Sequence, residues 1–327
     1  MKDMDISLLR DDSLAKSLFA NGQITDWRYP DKHGLCNRNL DCKELAVKEV
    51  LSWKGEPEPT RVFLHPWDCE HRGFLLRRTE YPLEHGWRVN SHAISDRQPL
   101  IQFITQAVQD EGYCLLYYKA FNKPFCSYYQ RHDIIHWSLV IHCEEDGIWL
   151  FDDKGNHPYF SGSLGFVQWD HLVSEWGVGE GVALLDYDPD RRESSMSQLR
   201  RLSEFSVIGM AEQGGLHQLR TFINELSRKA PEELIPELER MEFDVHYFRR
   251  LREVWKSYAL QNNLFSDEGK NLLHSVCRMW SLVIGVIMKW RRQPHREYQS
   301  VMIGHLYNAH EQEVRWIRYL SEWEGSE

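Results

Sequence analysis

The sequence predicts an α+β fold: a helix packed on an antiparallel sheet over residues 1–190, followed by an all-α helical domain over 191–327. Three observations predict it. The stretch DCKELAVKEVLSWKG, from Asp41 to Gly55, has the cap and periodicity of an amphipathic helix. The stretch from Gly112 to Gly155 reads as strand, polar loop, strand, tight turn, strand. From Ser194 to the C-terminus no strand-like alternation occurs. A chain of 327 residues is long enough for about two domains, each with its own core.

Taken in order, Ile6 to Ala20 suggests a short helix, and Asn21 to Gly34, rich in Gly, Pro, Asp and Asn, a loop. In the Asp41–Gly55 helix Asp41 stands at the N-cap and Glu44 at the capping-box position. Leu45, Ala46, Val50 and Trp53 share a face with Cys42, and Gly55 is the stop. Residues 56–99 are broken up by Pro57, Pro59, Pro66 and Pro82. A short strand is expected at Arg61 to Leu64 and a helix near Pro99 to Asp110. His65, His71 and His85 lie in this passage without metal-ligand spacing. Tyr113 to Lys119 is an apolar and aromatic strand, and Asn122 to Arg131 a polar loop. Trp137 to Cys143 and Ile148 to Phe151 flank Asp146-Gly147, the strongest short hairpin signal. A short helix at Val167 to Trp176 and a last strand at Val182 to Asp188 follow. The charged run Asp188 to Arg192 marks the domain boundary. Beyond it, helices are expected at about 194–212, 215–229, 231–239, 244–261, 267–292 and 293–323. The stripes through Tyr247 to Tyr258 and Leu272 to Met288 read as bundle core.

Composition narrows the function. A hydrophobic share of 42% and a charged share of 27% are those of an ordinary folded chain. A formal net charge of -10 argues against nucleic acid or an anionic membrane as partner. The 13 tryptophans fit a large core or an aromatic-lined pocket. Seven cysteines, odd in number, irregular in spacing and without a CxxC, argue against a disulfide framework or structural zinc. The N-terminus is too polar for a signal peptide. The longest apolar run, Met279 to Met288, falls short of the roughly 20 residues a membrane span needs. A cytoplasmic location with no cofactor and no metal is the expectation.

Cys42, His136 and Asp152 are the candidate catalytic residues. At the first position of its helix, Cys42 would lie near unpaired N–H groups and the positive end of the dipole, which favour a thiolate. Asp41 beside it works the other way. His136 opens one hairpin strand and Asp152 closes its neighbour, so both fall at the open end of one hairpin. A thiol becomes a nucleophile once a base takes its proton, and a carboxylate on the far ring nitrogen fixes the tautomer. The alternatives are Cys36 for the nucleophile, Asp153 for the carboxylate and His132 for the base. His132 and His136 have zinc-ligand spacing for a helix, but the run after them is β-rich. Oxyanion donors would be the Cys42 N–H with Asn37 or Asn39. Each residue also has a purely structural reading: Cys42 as a small buried apolar group, His136 as a strand-entry residue, Asp152 as a turn residue.

The Asp41–Gly55 stretch resembles the nucleophile helix of the butirosin-biosynthesis acyltransferase family, a Cys followed by a small residue, an apolar helix and a Gly. The run from Gly112 to Asp153 is similar to that family's strand, Pro-aromatic loop, His-led strand, turn and strand ending in Asp. The helical last third resembles the α-helical domain that often follows. The family has a papain-like fold, shared with bacteriocin-processing peptidases and natural-product cyclases. The resemblance implies that Cys42 takes an acyl group from an acyl or peptidyl carrier-protein thioester, that His136 is the general base and that Asp152 orients it. A small-molecule amine would accept the acyl group, in a nonribosomal-peptide, polyketide or aminoglycoside-type pathway. The other readings are a cysteine peptidase or thioesterase, and a papain-like scaffold that binds a carrier without catalysis. Asp41 stands where the family frequently has His, and a Pro- and His-rich passage replaces the Gly-rich segment that usually follows the helix.

Overall fold

The computed structural model describes residues 4, 7, 9–20, 23–295 and 297–323. Ser13 caps one helical turn, α1 (Leu14–Ser17), and two short strands, β1 (Phe19–Ala20) and β2 (Gln23–Ile24), pair antiparallel. Ile6 and part of the predicted loop at 21–22 lie outside the described residues. Next comes α2 (Cys42–Trp53), begun by a full capping box. Asp41 accepts from the Glu44 N–H at 2.9 Å, and Glu44 accepts from the Asp41 N–H at 2.8 Å. Gly55, just past the helix, has φ +79°.

Where a strand was expected at Arg61–Leu64, the chain makes a helical turn, α3 (Pro59–Val62). Pro59 presets the helical φ at the first position. The buried Arg61 side chain then fixes the segment, donating to Gln198 at 2.9 Å and to the Glu193 carbonyl at 2.7 Å. A ribbon of β3 (Glu70–Arg72) and β4 (Leu75–Arg77) follows, then β5 (Trp87–Ala93) and α4 (Arg97–Glu111). The hairpin stretch gives β6 (Cys114–Lys119), β7 (Ile135–Cys143) and β8 (Gly147–Phe151). Next are β9 (Phe160–Ser161), β10 (Leu164–Gln168), α5 (Trp169–Val173) and β11 (Gly181–Tyr187). The helix expected at Val167–Trp176 is thus a strand running into a shorter helix. The C-terminal part is helical throughout: α6 (Ser195–Val207), α7 (Gly215–Arg228), α8 (Pro231–Leu234), α9 (Leu238–Asn262), α10 (Asp267–Arg292) and α11 (Glu297–Glu322).

The chain forms two compact units. The first comprises Met1–Asp31, Leu40–Pro59 and Gly86–Pro189; the second comprises Lys32–Asn39, Thr60–His85 and Asp190–Glu327. A cut at residue 190 would therefore leave two segments of the second unit behind in the first.

The first unit is a seven-stranded antiparallel sheet in the order β5-β11-β6-β7-β8-β10-β9, with α2 packed on β7. Its core joins Leu100 and Ile104 of α4 to Leu116, Val140, Leu150 and Val182 of four strands. Gly112 and Gly147 are among the glycines that close approach requires. Gly112, left-handed at the end of α4, has the Trp53 ring where a Cβ would stand. At Gly147 a Cβ would run into the Val167 carbonyl and the Gln168 backbone of β10. The Asp146-Gly147 pair does fall at the β7–β8 hairpin, but Gly147 begins β8, lacks a positive φ and pairs with Gln168, so it serves strand packing and not the turn.

In the second unit α9, α10 and α11 pack against one another. Arg252 and Glu313, both fully buried, pair at 2.9 Å, and Trp280 Nε1 donates to the same carboxylate at 2.6 Å. A buried charge pair is tolerated in this way only when its hydrogen bonds are satisfied. The α10 helix is long and apolar enough to cross a membrane by length and composition. Its apolar face, including Val276, Trp280, Val283 and Ile287, is buried within the bundle.

Candidate active site

The three candidate residues are delivered by strand register and helix capping. Tyr118 of β6 pairs with His136 of β7, and Leu139 of β7 pairs with Phe151 of β8. One step further along, Ser138 faces Asp152. His136 and Ser138 are two residues apart and so project from the same face of β7. Three adjacent strands thus place Tyr118, His136, Ser138 and Asp152 side by side. All four side chains are buried. Cys42, at the first position of α2, is partly exposed.

The hydrogen bonds run one way through this cluster. His136 Nε2 donates to Asp152 Oδ2 at 2.7 Å. Ser138 Oγ donates to that same oxygen. Since the Ser138 hydrogen is used there, the Tyr118 hydroxyl, 2.7 Å away, must donate to Ser138 Oγ. The other carboxylate oxygen, Oδ1, accepts the Lys154 N–H at 2.7 Å. Both oxygens of Asp152 are therefore held.

His136 Nδ1 is buried, and the Cys42 sulfur acts on the ring both through its charge and as a hydrogen-bond partner. Burial alone would push the imidazole pKa down. Asp152 and the Cys42 sulfur outweigh it and hold the ring well above its ordinary 6.5. Burial pushes the Tyr118 hydroxyl well above its ordinary 10, so it remains a neutral donor.

A loop closes over this cluster. Lys123 is fully buried, donates to the Ser174 carbonyl at 2.8 Å, pairs with Glu180 at 3.5 Å and lies over Trp176. Beyond that anchor, Phe125 packs edge-on to Tyr118 at 5.2 Å, and Tyr128 edge-on to His136 at 5.5 Å. The Ser127 N–H donates to the Lys154 carbonyl at 2.6 Å, tying the loop to the residues after Asp152. On the odd-numbered face of the strands Trp137 packs against Tyr117 at 4.9 Å, with the Lys43 ammonium 5.4 Å above the indole.

The alternatives lie elsewhere. Asp153 pairs with Lys154 Nζ at 3.6 Å, while Asp152 takes the imidazole. His132 sits in the loop with its ring against Tyr128, not on a helix beside His136. Cys36 is buried in the second unit. The Asn39 carboxamide does not serve as an oxyanion donor: both its amide hydrogens are used, on the Gly34 carbonyl at 2.8 Å and on Ser257 Oγ at 3.3 Å. Asn37 is a half-buried loop residue of the same segment. What stays in place for a developing oxyanion is the Cys42 N–H, which as the first of a helix has no intrahelical acceptor.

His65 stacks on Tyr81, His71 pairs with Glu225 at 3.1 Å, and His85 is buried. Among the described residues no group of three or more His, Cys, Asp or Glu could hold a metal ion. All seven cysteines are free thiols. Ser138 and Tyr118 were not singled out from the sequence. The available signal was parity, since Ser138 is a lone polar residue in an apolar run, two positions from His136. No protein-family model matches the chain, and no match to it is found among curated proteins.

Proposed function

We propose that this chain is a cysteine-dependent acyltransferase of papain-like design. One observation carries the reading: His136 is bonded to Asp152 through Nε2, with the partly exposed Cys42 sulfur acting on the same ring. That is the order a nucleophile, a base and an orienting carboxylate need. The resemblance of the Cys42 helix and of the His136–Asp152 hairpin to the butirosin-type acyltransferases supplies the substrate class. The donor is the thioester of an acyl or peptidyl carrier protein, and the acceptor is a small-molecule amine of a natural-product pathway.

In the first step the Cys42 thiolate attacks the thioester carbonyl, and the Cys42 N–H at the start of α2 receives the oxyanion. The carbon–sulfur bond to the carrier breaks, and His136 gives its proton to the departing carrier thiol. In the second step the amine attacks the acyl-Cys42 carbonyl. His136 takes the amine's proton, and the amide leaves as the Cys42 thiolate is restored. Asp152 holds the ring in place throughout.

The test is incubation with acyl-pantetheine thioesters followed by mass spectrometry. The expected result is an acyl mass shift on the peptide carrying Cys42, discharged faster by added amines than by buffer alone. Discharge at the same rate with and without amine identifies a hydrolase. No shift on Cys42, or a shift that survives Cys42→Ala, removes the catalytic reading.

A further inference from the structure

We propose that Ser138 and Tyr118 are positioning residues of this site, and that their hydroxyl chain sets how tightly Asp152 holds the imidazole proton. The proposal rests on the reading that Cys42 works with His136. Its basis is that Ser138 Oγ and His136 Nε2 donate to one and the same oxygen, Asp152 Oδ2. Two donors on one oxygen compete for its charge. The Ser138 hydroxyl also places the positive end of its dipole close to the Nε2–H, which disfavours an imidazolium there. Tyr118, by donating to Ser138 Oγ, strengthens the bond Ser138 makes in turn.

The rest of the cluster holds the carboxylate still while this competition acts. Oδ1 is fixed independently by the Lys154 N–H. The Tyr118 ring is locked against Phe125 and His136, at 5.2 and 5.7 Å. Ser138 lies in an otherwise apolar strand segment, Trp137 to Ile141, with no solvent exposure. A buried hydroxyl in such a run is unfavourable unless bonded, and here its hydrogen goes to the catalytic carboxylate. The titratable groups facing His136 are Asp152 at the end of β8, Cys42 on α2, Tyr118 on β6, and Cys126 and Tyr128 on the closing loop. Ser138 and Tyr118 act on the first of these.

A shift toward a freer Asp152 would stabilise the imidazolium and hence the Cys42 thiolate. It would also make the imidazolium a poorer proton donor to the leaving group. The chain of hydroxyls thus balances nucleophile formation against proton return.

The test is the pH dependence of Cys42 alkylation by iodoacetamide, read by peptide mass spectrometry, which needs no knowledge of the natural substrate. Five of the other thiols are buried, and burial pushes the remaining one, Cys143, up to about 12, so the acid-range signal belongs to Cys42. In Ser138→Ala the midpoint of the profile is expected to fall by about 0.3 to 1 pH unit, a roughly two- to tenfold faster reaction on the acid limb. Ser138→Thr keeps the hydroxyl and returns the midpoint toward that of the unsubstituted protein. Tyr118→Phe is nearly isosteric, moves the midpoint the same way by less, and carries the test if the alanine variant does not fold. An unchanged midpoint, or one displaced to higher pH, in the folded variants overturns the proposal. If the unsubstituted protein already alkylates like an ordinary thiol, the Cys42–His136 pair itself is absent and the acyltransferase reading falls with it. The two failures are therefore told apart by the parent profile.

Discussion

Replacing Asp152 by asparagine keeps the shape of the side chain and removes what the site needs. Three donors converge on Asp152: His136 Nε2–H and Ser138 Oγ–H on Oδ2, and the Lys154 N–H on Oδ1. A carboxamide has one acceptor oxygen. If that oxygen takes the Oδ2 position, the new NH2 faces the Lys154 N–H. If it takes the Oδ1 position, the NH2 faces Ser138 and His136, and the ring must accept at Nε2 and carry its proton on Nδ1, toward Cys42. Either way two donors meet in a buried place, which costs about 1–3 kcal/mol of stability. The imidazolium also loses its counter-charge, so the thiolate fraction of Cys42 falls. At about pH 6 a free cysteine, with a pKa of about 8.5, is thiolate to roughly one part in 300, so a loss of up to about 10²-fold is expected in Cys42 alkylation at that pH. The assay is the second-order rate with iodoacetamide, located by peptide mapping, beside a urea titration of the same variant. A folded Asp152→Asn protein reacting within about threefold of the parent at that pH would refute the reasoning.

Three further outcomes are expected. Asp41→Ala removes the side-chain half of the capping box, the bond from the Glu44 N–H, and should lower stability by about 1 kcal/mol in urea titration; no loss would mean the cap is not formed. Phe151→Ala deletes a fully buried ring stacked edge-on to Trp27 at 4.9 Å. It should cost about 3–5 kcal/mol and slow Cys42 alkylation as well, because Asp152 is the next residue; normal reactivity in the folded variant would uncouple the two. The His136 pKa is raised in the folded state, so folding favours its protonated form. The stability this contributes is fully present below about pH 6.5 and is lost as pH rises through the higher folded value. Urea titrations across that range should show the decline, ending at lower pH and smaller in total in Cys42→Ala, where one of the charges holding the proton is gone. A stability flat across the range would contradict it.

The parts legible in the sequence are those whose signals are local. The Asp41/Glu44 cap announces α2, the Asp146-Gly147 turn announces the β7–β8 hairpin, and the apolar stripes announce α9 and α10. The missed elements depend on partners far along the chain. Strand β5 reads Trp-Arg-Val-Asn-Ser-His-Ala and looks like a loop, because as an edge strand it has one face in solvent and takes its order from β11. Strand β10 carries Gly165 in its middle and exists through its pairing with β8. The Arg61 segment turns helical through Pro59 at its start and side-chain bonds to residues 193 and 198. The site divides in the same way. Cys42, His136 and Asp152 could be brought together from one cap and one hairpin. Tyr118 and Ser138 enter only when the β6–β7 register puts their hydroxyls 2.7 Å apart. Asn39 shows the converse, a residue close in sequence whose amide is held by Gly34 and Ser257.

The most direct check on the central claim is the pH profile of Cys42 alkylation in the unsubstituted protein. With His136 and Asp152 beside it, Cys42 should react as a thiolate well into the acid range, with little further gain up to neutral pH. A rate that instead rises through about pH 8.5, as for a free cysteine, would contradict the account.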